Sequence, residues 1–308
     1  MFSYVSNTEA LSDVLRLSRG MTYKSALAGI ALGGGKSVII GNPHQDKSRQ
    51  LLLAMGEFIN SLSGTYITAE DSGTGVADMA IMGEKTPYVT GVVTGEEHGG
   101  DPSPITAYGV YQGIVASVAH QFKSNLQGVR IAMQGIGNVG YHLARQLISA
   151  GATVYAADIN PANIQRAVNQ LGVIEVPLDD IMSIDVDVLA PCALGGAINA
   201  DSIDMIKAKV VAGAANNQLA TVDMGLALKE RGILYAPDYV INSGGIIDVY
   251  YQTKGIRDRK KVDAHVERIG DTLKTIFTRS DQTGHATSGI ADQLAEEILA
   301  GDVQEMSA

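Results

Sequence analysis

The sequence predicts an α/β protein of two domains, the second built on a doubly wound parallel sheet. Three observations carry that expectation. Short apolar runs alternate with helical stretches through the second half of the chain, the pattern of repeated strand–helix units. A G-x-G-x-x-G turn follows the first of those runs. The composition (35 glycines, no tryptophan, 5 % aromatic residues) suits many tight strand-to-helix turns and disfavours an aromatic-rich β-sandwich. With 308 residues, 45 % of them hydrophobic, the chain can bury two cores.

The elements follow in order. Residues 8–28 read as a helix, with Leu11, Val14, Leu15 and Leu17 near helical spacing and Asp13, Arg16 and Arg19 between them. Gly33, Gly34, Gly35 and Lys36 then lead into a β-rich run, 37–41, which Asn42-Pro43 ends. A helix over 47–62 and a strand over 65–68, closing at Ala69-Glu70-Asp71, complete a mixed sheet with covering helices. Ser103-Pro104 is a helix start, serine as N-cap and proline at the first helical position. The helix it opens, 105–122, places Val110, Ile114 and Val118 on one face. Beyond it come a strand at 129–133, a helix at 139–150, a strand at 153–157 and a helix at 162–171. Further buried strands are expected at 186–189, 210–212 and 233–235. Val262, Val266, Ile269, Leu273 and Ile276 mark the apolar stripe of a closing helix. The expected domains are 1–104, with part of 275–308 packing back on it, and 105–274.

Composition excludes several classes of function. A lone cysteine, Cys192, forms no intrachain disulfide and no cysteine-based metal cage. A formal net charge of −10 argues against nucleic-acid and anionic-membrane partners. No stretch approaches the ~18 uninterrupted apolar residues of a membrane span. The first residues lack the basic and apolar regions of a signal peptide, so a soluble, cytoplasmic protein is expected.

Gly135-Ile136-Gly137-Asn138-Val139-Gly140 gains its meaning from context. It follows the predicted strand 129–133 and opens a helix whose Val139, Leu143 and Leu147 face inward. The next strand ends in Asp158, eighteen residues after Gly140, close to the spacing of a dinucleotide fingerprint. Gly135 permits the tight turn, Gly137 lets backbone approach a pyrophosphate, and Gly140 allows close helix–strand packing. The helix N-terminus offers N–H groups and a positive dipole end to phosphates. Asp158 suits both ribose hydroxyls and repels a 2′-phosphate, which selects NAD over NADP. The second domain is therefore expected to be Rossmann-type. A glycine turn that binds nothing and a methyltransferase-type site are the alternatives.

Lys24 and Lys36, taken alone, read as solvated surface charges, the default for lysine. Three neighbouring features favour a site. Three glycines before Lys36 remove bulk where a ligand could approach; apolar runs at 28–32 and 38–40 can desolvate it; Asp71 follows a strand end, where sites collect in α/β sheets.

From about Tyr4 to Gly255 the chain resembles the glutamate/leucine/phenylalanine/valine dehydrogenase family, most closely its leucine dehydrogenase branch. The markers begin with Met21-Thr22-Tyr23-Lys24, the 33–36 run and Ile67-Thr68-Ala69-Glu70-Asp71. They continue through Pro102-Ser103-Pro104-Ile105-Thr106-Ala107-Tyr108-Gly109-Val110, then Pro191-Cys192-Ala193-Leu194-Gly195 and Gly213-Ala214-Ala215-Asn216-Asn217-Gln218-Leu219. Pro237-Asp238-Tyr239-Val240-Ile241-Asn242-Ser243-Gly244-Gly245 closes the set.

The resemblance implies an NAD-dependent oxidative deamination of a small aliphatic amino acid. On that basis Lys24 binds the substrate carboxylate, Lys36 activates the attacking water, and Asp71 exchanges a proton with the substrate amine. Lys36 as a base needs its pKa lowered from about 10.4 toward about 7–8, a differential cost of about 4 kcal/mol. Burial and the Lys24 cation both push that way. Asn217, with Asn216 beside it, would hold the nicotinamide side of the cofactor, with Thr106 and Ala193 near it and Cys192 as a packing residue. The pocket positions Met21, Ala69, Ile246 and Val249 are all apolar, which fits leucine, valine or isoleucine, leaves an aromatic substrate open and argues against glutamate.

The family also implies a homo-oligomer. Asp101 and Asp248 stand where it more usually has asparagine. It places roughly forty residues ahead of the position of Met1, so a shortened first domain with an uncovered sheet edge is expected. A non-catalytic NAD-binding protein, or an inactive shortened homologue, is the alternative function.

Overall fold

The computed structural model describes residues 1–91, 101–193 and 195–301. The chain forms two compact units: Met1–Ser25 with Ala31–Pro102 and Asp248–Asp258, and Ala26–Ile30 with Ser103–Ile247 and everything from Arg259 onward. The segment that returns to unit 1 is thus Asp248–Asp258, and not the expected part of 275–308. The reason is packing. The helix that carries the stripe of Val262, Val266, Ile269, Leu273 and Ile276 is buried within unit 2. The helix Thr287–Ala300 packs on it and on the strand Leu234–Tyr235, with Ile290, Ala291, Leu294 and Ala295 buried. Residues 302–308 lie outside the described part.

Unit 1 contains α1 (Asn7–Leu27), α2 (Arg49–Ser61) and α3 (Val76–Gly83). Ser48 caps α2, its Oγ accepting from the Leu51 N–H at 3.2 Å. Leu52 and Ile59 of α2 and Met79 and Met82 of α3 form the core, and Ile39, Tyr66, Tyr88 and Val89 pack against it. The runs at 37–41 and 65–68 are extended but form no named strands. Each is reduced to a single parallel bridge, Phe2 to Ile40 and Thr68 to Val89. A strand exists through the ladder that satisfies its N–H and C=O groups. Among the described residues these two runs have one bridging residue apiece, so β-propensity alone builds no sheet there.

Unit 2 is ordered by its sheet. After α4 (Ser103–Phe122) come β1 (Arg130–Gln134), α5 (Asn138–Ser149), β2 (Thr153–Ala157), α6 (Pro161–Leu171), β3 (Ile174–Glu175) and β4 (Val188–Pro191). A 3₁₀ turn (Ile203–Met205), β5 (Val210–Val211), α7 (Asp223–Glu230), β6 (Leu234–Tyr235), α8 (Asp238–Ile241), α9 (Gly244–Thr253), α10 (Arg259–Thr283) and α11 (Thr287–Ala300) follow. The strands are all parallel, in the order β3-β2-β1-β4-β5-β6. That order places β1 and β4 side by side at the point where the chain reverses its direction of winding, the doubly wound arrangement. Ile131 is registered between Val154 and Val188, and all three are buried. Each such side chain contributes about 1.5–3 kcal/mol of burial.

The five predicted strands of this unit fall at or within two residues of the observed ones, while the two-residue β3 and helices α7, α8 and α9 went unforeseen. Asn160 caps α6 through its side chain, with Pro161 at the first position and Gly172 in the left-handed conformation at its end. Among the described residues no helix is long and apolar enough to cross a membrane.

Candidate active site

In unit 1 the residues at 33–35 lie as a strap along α1. Ser18 donates its hydroxyl to the Gly34 carbonyl, and Ser25 donates to the Gly33 carbonyl at 3.0 Å. Ser18, Thr22 and Ser25 are spaced four and three apart, one face of the helix. A Cβ on Gly34 would lie 2.2 Å from the Thr22 nitrogen, and one on Gly35 would lie 2.6 Å from the Tyr66 ring. Only glycine permits these approaches. The sequence suggested that the glycines make room for a ligand. At 34 and 35 they make room for the protein itself.

The strap delivers Lys36 to Asp71, and the two form a direct ion pair. The Lys36 side chain is 21 % exposed and that of Asp71 57 %. Protein packed around Asp71 pushes its carboxyl up. The Lys36 hydrogen bond and charge, the Ser72 N–H at 2.7 Å and the Met1 ammonium outweigh this and hold it below the usual carboxylate range. Thr74 donates its hydroxyl to the Asp71 carbonyl at 2.9 Å, closing the turn that presents the acid. Lys24 stands half-buried in the last turn of α1, three residues from Met21 and so on the same face. Ala69 is exposed two residues before Asp71, and Ile246 and Val249, three apart on α9, are half-buried.

In unit 2 the glycine turn joins β1 to α5. Gly135 has φ +96°, and a Cβ there would lie 2.9 Å from the Ala193 side chain. A Cβ on Gly140 would lie 2.6 Å from the Gly135 carbonyl oxygen. Gly137 differs: a Cβ there meets nothing within 4 Å. As the N-cap of α5 it also brings no side-chain acceptor, so the first-turn N–H groups stay available to an anion. Asn138 is exposed and Val139 half-buried at that opening. Asp158 accepts from the Ile136 N–H at 2.7 Å and from the Asn160 N–H at 2.7 Å. Its lone pairs can still accept from ribose hydroxyls. These residues fit a dinucleotide diphosphate and a 2′-hydroxyl ribose.

The loop after β5 meets the loop after β4. The Ala215 N–H donates to the Pro191 carbonyl at 2.9 Å and the Gly196 N–H to the Asn217 carbonyl at 2.7 Å. Ala193 is exposed here, and Leu194 lies outside the described residues. Burial pushes the Cys192 thiol up to about 12, partly offset by a backbone hydrogen bond with Ala214. A thiol held protonated is a packing group and not a nucleophile. Asn216 and Asn217 are both exposed, and Asn217 has φ +50°. Thr106 is half-buried in the first turn of α4.

Sequence reasoning missed the groups that hold this loop. Asn242 is buried, and its Nδ2 donates to the Ala214 carbonyl at 3.2 Å and to Asn216 Oδ1 at 2.8 Å. Gln218, fully buried, donates Nε2 to the carbonyls of Gly213 at 2.8 Å and Ala215 at 3.1 Å. Among the described residues, both amides leave their oxygens buried without a partner. An orphaned acceptor costs about 1–3 kcal/mol, so the loop geometry is held against that penalty. The Ser18, Thr22 and Ser25 spacing was a legible signal; Gln218 and Asn242 lay in marker runs, but nothing in the sequence gave either of them a role.

A cavity of about 450 Å³, lined by Tyr108, Tyr111, Arg145, Gln146, Ser149 and Ala150, lies at the other end of α5. It is about 16 Å along the helix from the glycine turn and holds none of these groups. No cluster among the described residues could hold a metal ion.

Two family models match the chain: Glu/Leu/Phe/Val dehydrogenase, dimerisation domain, over residues 3–88, and Glutamate/Leucine/Phenylalanine/Valine dehydrogenase over residues 161–295. The chain is 48 % identical over 301 residues to a leucine dehydrogenase of Bacillus cereus, covering 97 % of this chain and 82 % of that protein. It is 43 % identical over 302 residues to a valine dehydrogenase of Streptomyces virginiae, covering 97 % and 84 %. The crystal structure of L-tryptophan dehydrogenase from Nostoc punctiforme superposes with a TM-score of 0.85 at 40 % identity, covering 98 % and 88 %.

Proposed function

The chain belongs to the glutamate/leucine/phenylalanine/valine dehydrogenase family, and from that premise we propose that it oxidatively deaminates a branched-chain aliphatic L-amino acid with NAD⁺. The overall change is amino acid, NAD⁺ and water to 2-oxo acid, ammonium, NADH and a proton, with reductive amination as the reverse. The observation that carries this reading is the Lys36–Asp71 ion pair, set in place by the glycine strap.

Each side chain has a task. The Lys24 ammonium holds the substrate α-carboxylate by a charge-assisted hydrogen bond. Asp71 takes a proton from the substrate ammonium, freeing the nitrogen lone pair that drives hydride from the α-carbon. NAD⁺, when bound, supplies the hydride acceptor. Lys36, an ammonium while paired with Asp71, acts after releasing that proton to solvent and then takes one from the water that attacks the resulting iminium carbon. Its contact with Asp71 gives protons a direct path between base and acid. Gly135, Gly137, Asn138, Val139 and Gly140 would hold the diphosphate and Asp158 the adenosine ribose. Thr106, Cys192, Ala193, Asn216 and Asn217 would surround the nicotinamide side.

Met21, Ala69, Ile246 and Val249 offer no cation to a substrate side-chain carboxylate, which favours leucine, valine or isoleucine over glutamate. The likeness to the Nostoc tryptophan dehydrogenase supports a second reading, an aromatic substrate. A cytoplasmic homo-oligomer completes the proposal. The match of residues 3–88 to a dimerisation-domain model supports assembly, as do exposed Phe2, Leu11, Leu15, Ile40, Phe58 and Ile67 in unit 1.

NADH formation with leucine, valine, isoleucine, phenylalanine, tryptophan and glutamate tests the reading. Turnover highest on a branched-chain substrate is expected. Highest turnover on tryptophan or phenylalanine would move the assignment to the aromatic reading, and turnover on none of them would sink it.

A further inference from the structure

We propose that Gln218 is a positioning residue for the nicotinamide end of the cofactor, acting through the loop that carries Asn216 and Asn217. The inference rests on the role given above to those two asparagines. Gln218 is fully buried, so it touches no ligand itself. Its side chain is fastened at two points, Nε2 donating to the Gly213 and Ala215 carbonyls. A carbonyl only accepts, so chemistry fixes which end of the amide faces the loop. Its main chain is fastened at a third, the Gln218 N–H donating to Asp238 Oδ2 at 2.9 Å. Asp238 Oδ1 accepts from the Tyr239 N–H at 2.7 Å, which ties the same carboxylate to the start of α8.

Between these anchors the chain takes an unusual path. Asn217, with φ +50°, lies in the left-handed region, which a non-glycine residue enters at a cost. The surrounding structure must impose that conformation, and the bonds of the adjacent Gln218 do so. The outcome is a loop bolted on its buried side, with Asn216 and Asn217 presented to solvent on the other. Loosening the bolts redirects the two exposed amides without removing either.

The other end of the cofactor site uses separate elements, the turn at 135–140 and Asp158. NADH and ADP-ribose therefore report on different parts of the protein. Both dissociation constants are measured by calorimetry on the full chain, in the wild type, Gln218→Met and Asn217→Ala. Gln218→Met keeps the volume and removes the donors. NADH affinity is expected to fall about tenfold, equivalent to about 1.4 kcal/mol, with ADP-ribose affinity unchanged. Should Gln218→Met fail to fold, Asp238→Asn removes one acceptor of the same network, and a loss of NADH affinity of about threefold is expected, again sparing ADP-ribose. Equal weakening of both ligands would mark Gln218 as a general stability residue and overturn the proposal. So would unchanged NADH affinity in Gln218→Met beside a loss in Asn217→Ala. Unchanged NADH affinity in Asn217→Ala overturns the role of the loop, and the proposal with it.

Discussion

The glycine runs of the two units use the same residue for different ends. At 34 and 35 the backbone is pressed onto α1 and Tyr66, and the product of the packing is a side chain, Lys36, delivered to Asp71. At 135–140 two glycines are likewise forced by close approach, but Gly137 faces open space, and the product is a set of bare backbone N–H groups. One run places a charge and the other a dipole. Local sequence looks alike in both; what each glycine touches decides the role.

Substitutions that strike one run and spare the other sharpen this contrast. Lys36→Ala is the largest: turnover should fall about 10³-fold, with NADH binding kept. Unchanged turnover would remove Lys36 from the chemistry. Gly34→Ala forces a methyl against the Thr22 backbone. A stability loss of about 1–3 kcal/mol in chemical denaturation is expected, with reduced turnover and unaltered ADP-ribose binding. If ADP-ribose binding falls in step, the two runs are not independent. Asp158→Ala acts on the other side: affinity for NAD⁺ should fall about tenfold and discrimination against NADP⁺ should narrow, with acid–base chemistry intact. Retained discrimination would place cofactor choice elsewhere.

The Asp71 carboxyl gives a smaller, pH-dependent effect. Its pKa in the folded protein lies below the unfolded value of about 3.9, so its stabilisation is present above that value. As pH falls through the lower folded pKa the contribution disappears. The melting-temperature gap between wild type and Asp71→Asn should thus be full at pH 6 and close below about pH 4. A gap that widens on acidification contradicts the pairing. Cys192→Ala should change turnover by less than about twofold. With its thiol pushed up to about 12, Cys192 should also resist alkylation at pH 8. Rapid labelling there would reopen the thiol as a reactive group.

The sequence was most legible where local pattern and global fold agree. Short apolar strands buried on both faces, and the helix start at Ser103-Pro104, located five of the six strands to within two residues and the helix ahead of them. Extended runs at 37–41 and 65–68 misled because a strand is a property of a pair, and the partner is not written in the run. Part of 275–308 was expected on the first unit for a related reason: an apolar pattern says that a helix is buried, not against what. Among the candidate residues, Lys36 was legible from the glycine run before it, Asp71 from its place at the end of an extended run, and Asp158 from its spacing after the glycine turn. Gln218 and Asn242 were not, since a buried amide looks like any polar residue until its donors are traced.

Asp158 spends one oxygen on the Ile136 N–H inside the glycine turn. The residue that would choose between cofactors is thereby also a strut of the loop meant to grip them. Evolution of a new cofactor preference at this position is therefore not a single-step trade. A lineage that exchanges the carboxylate must supply another acceptor for Ile136, so such changes should arrive in pairs.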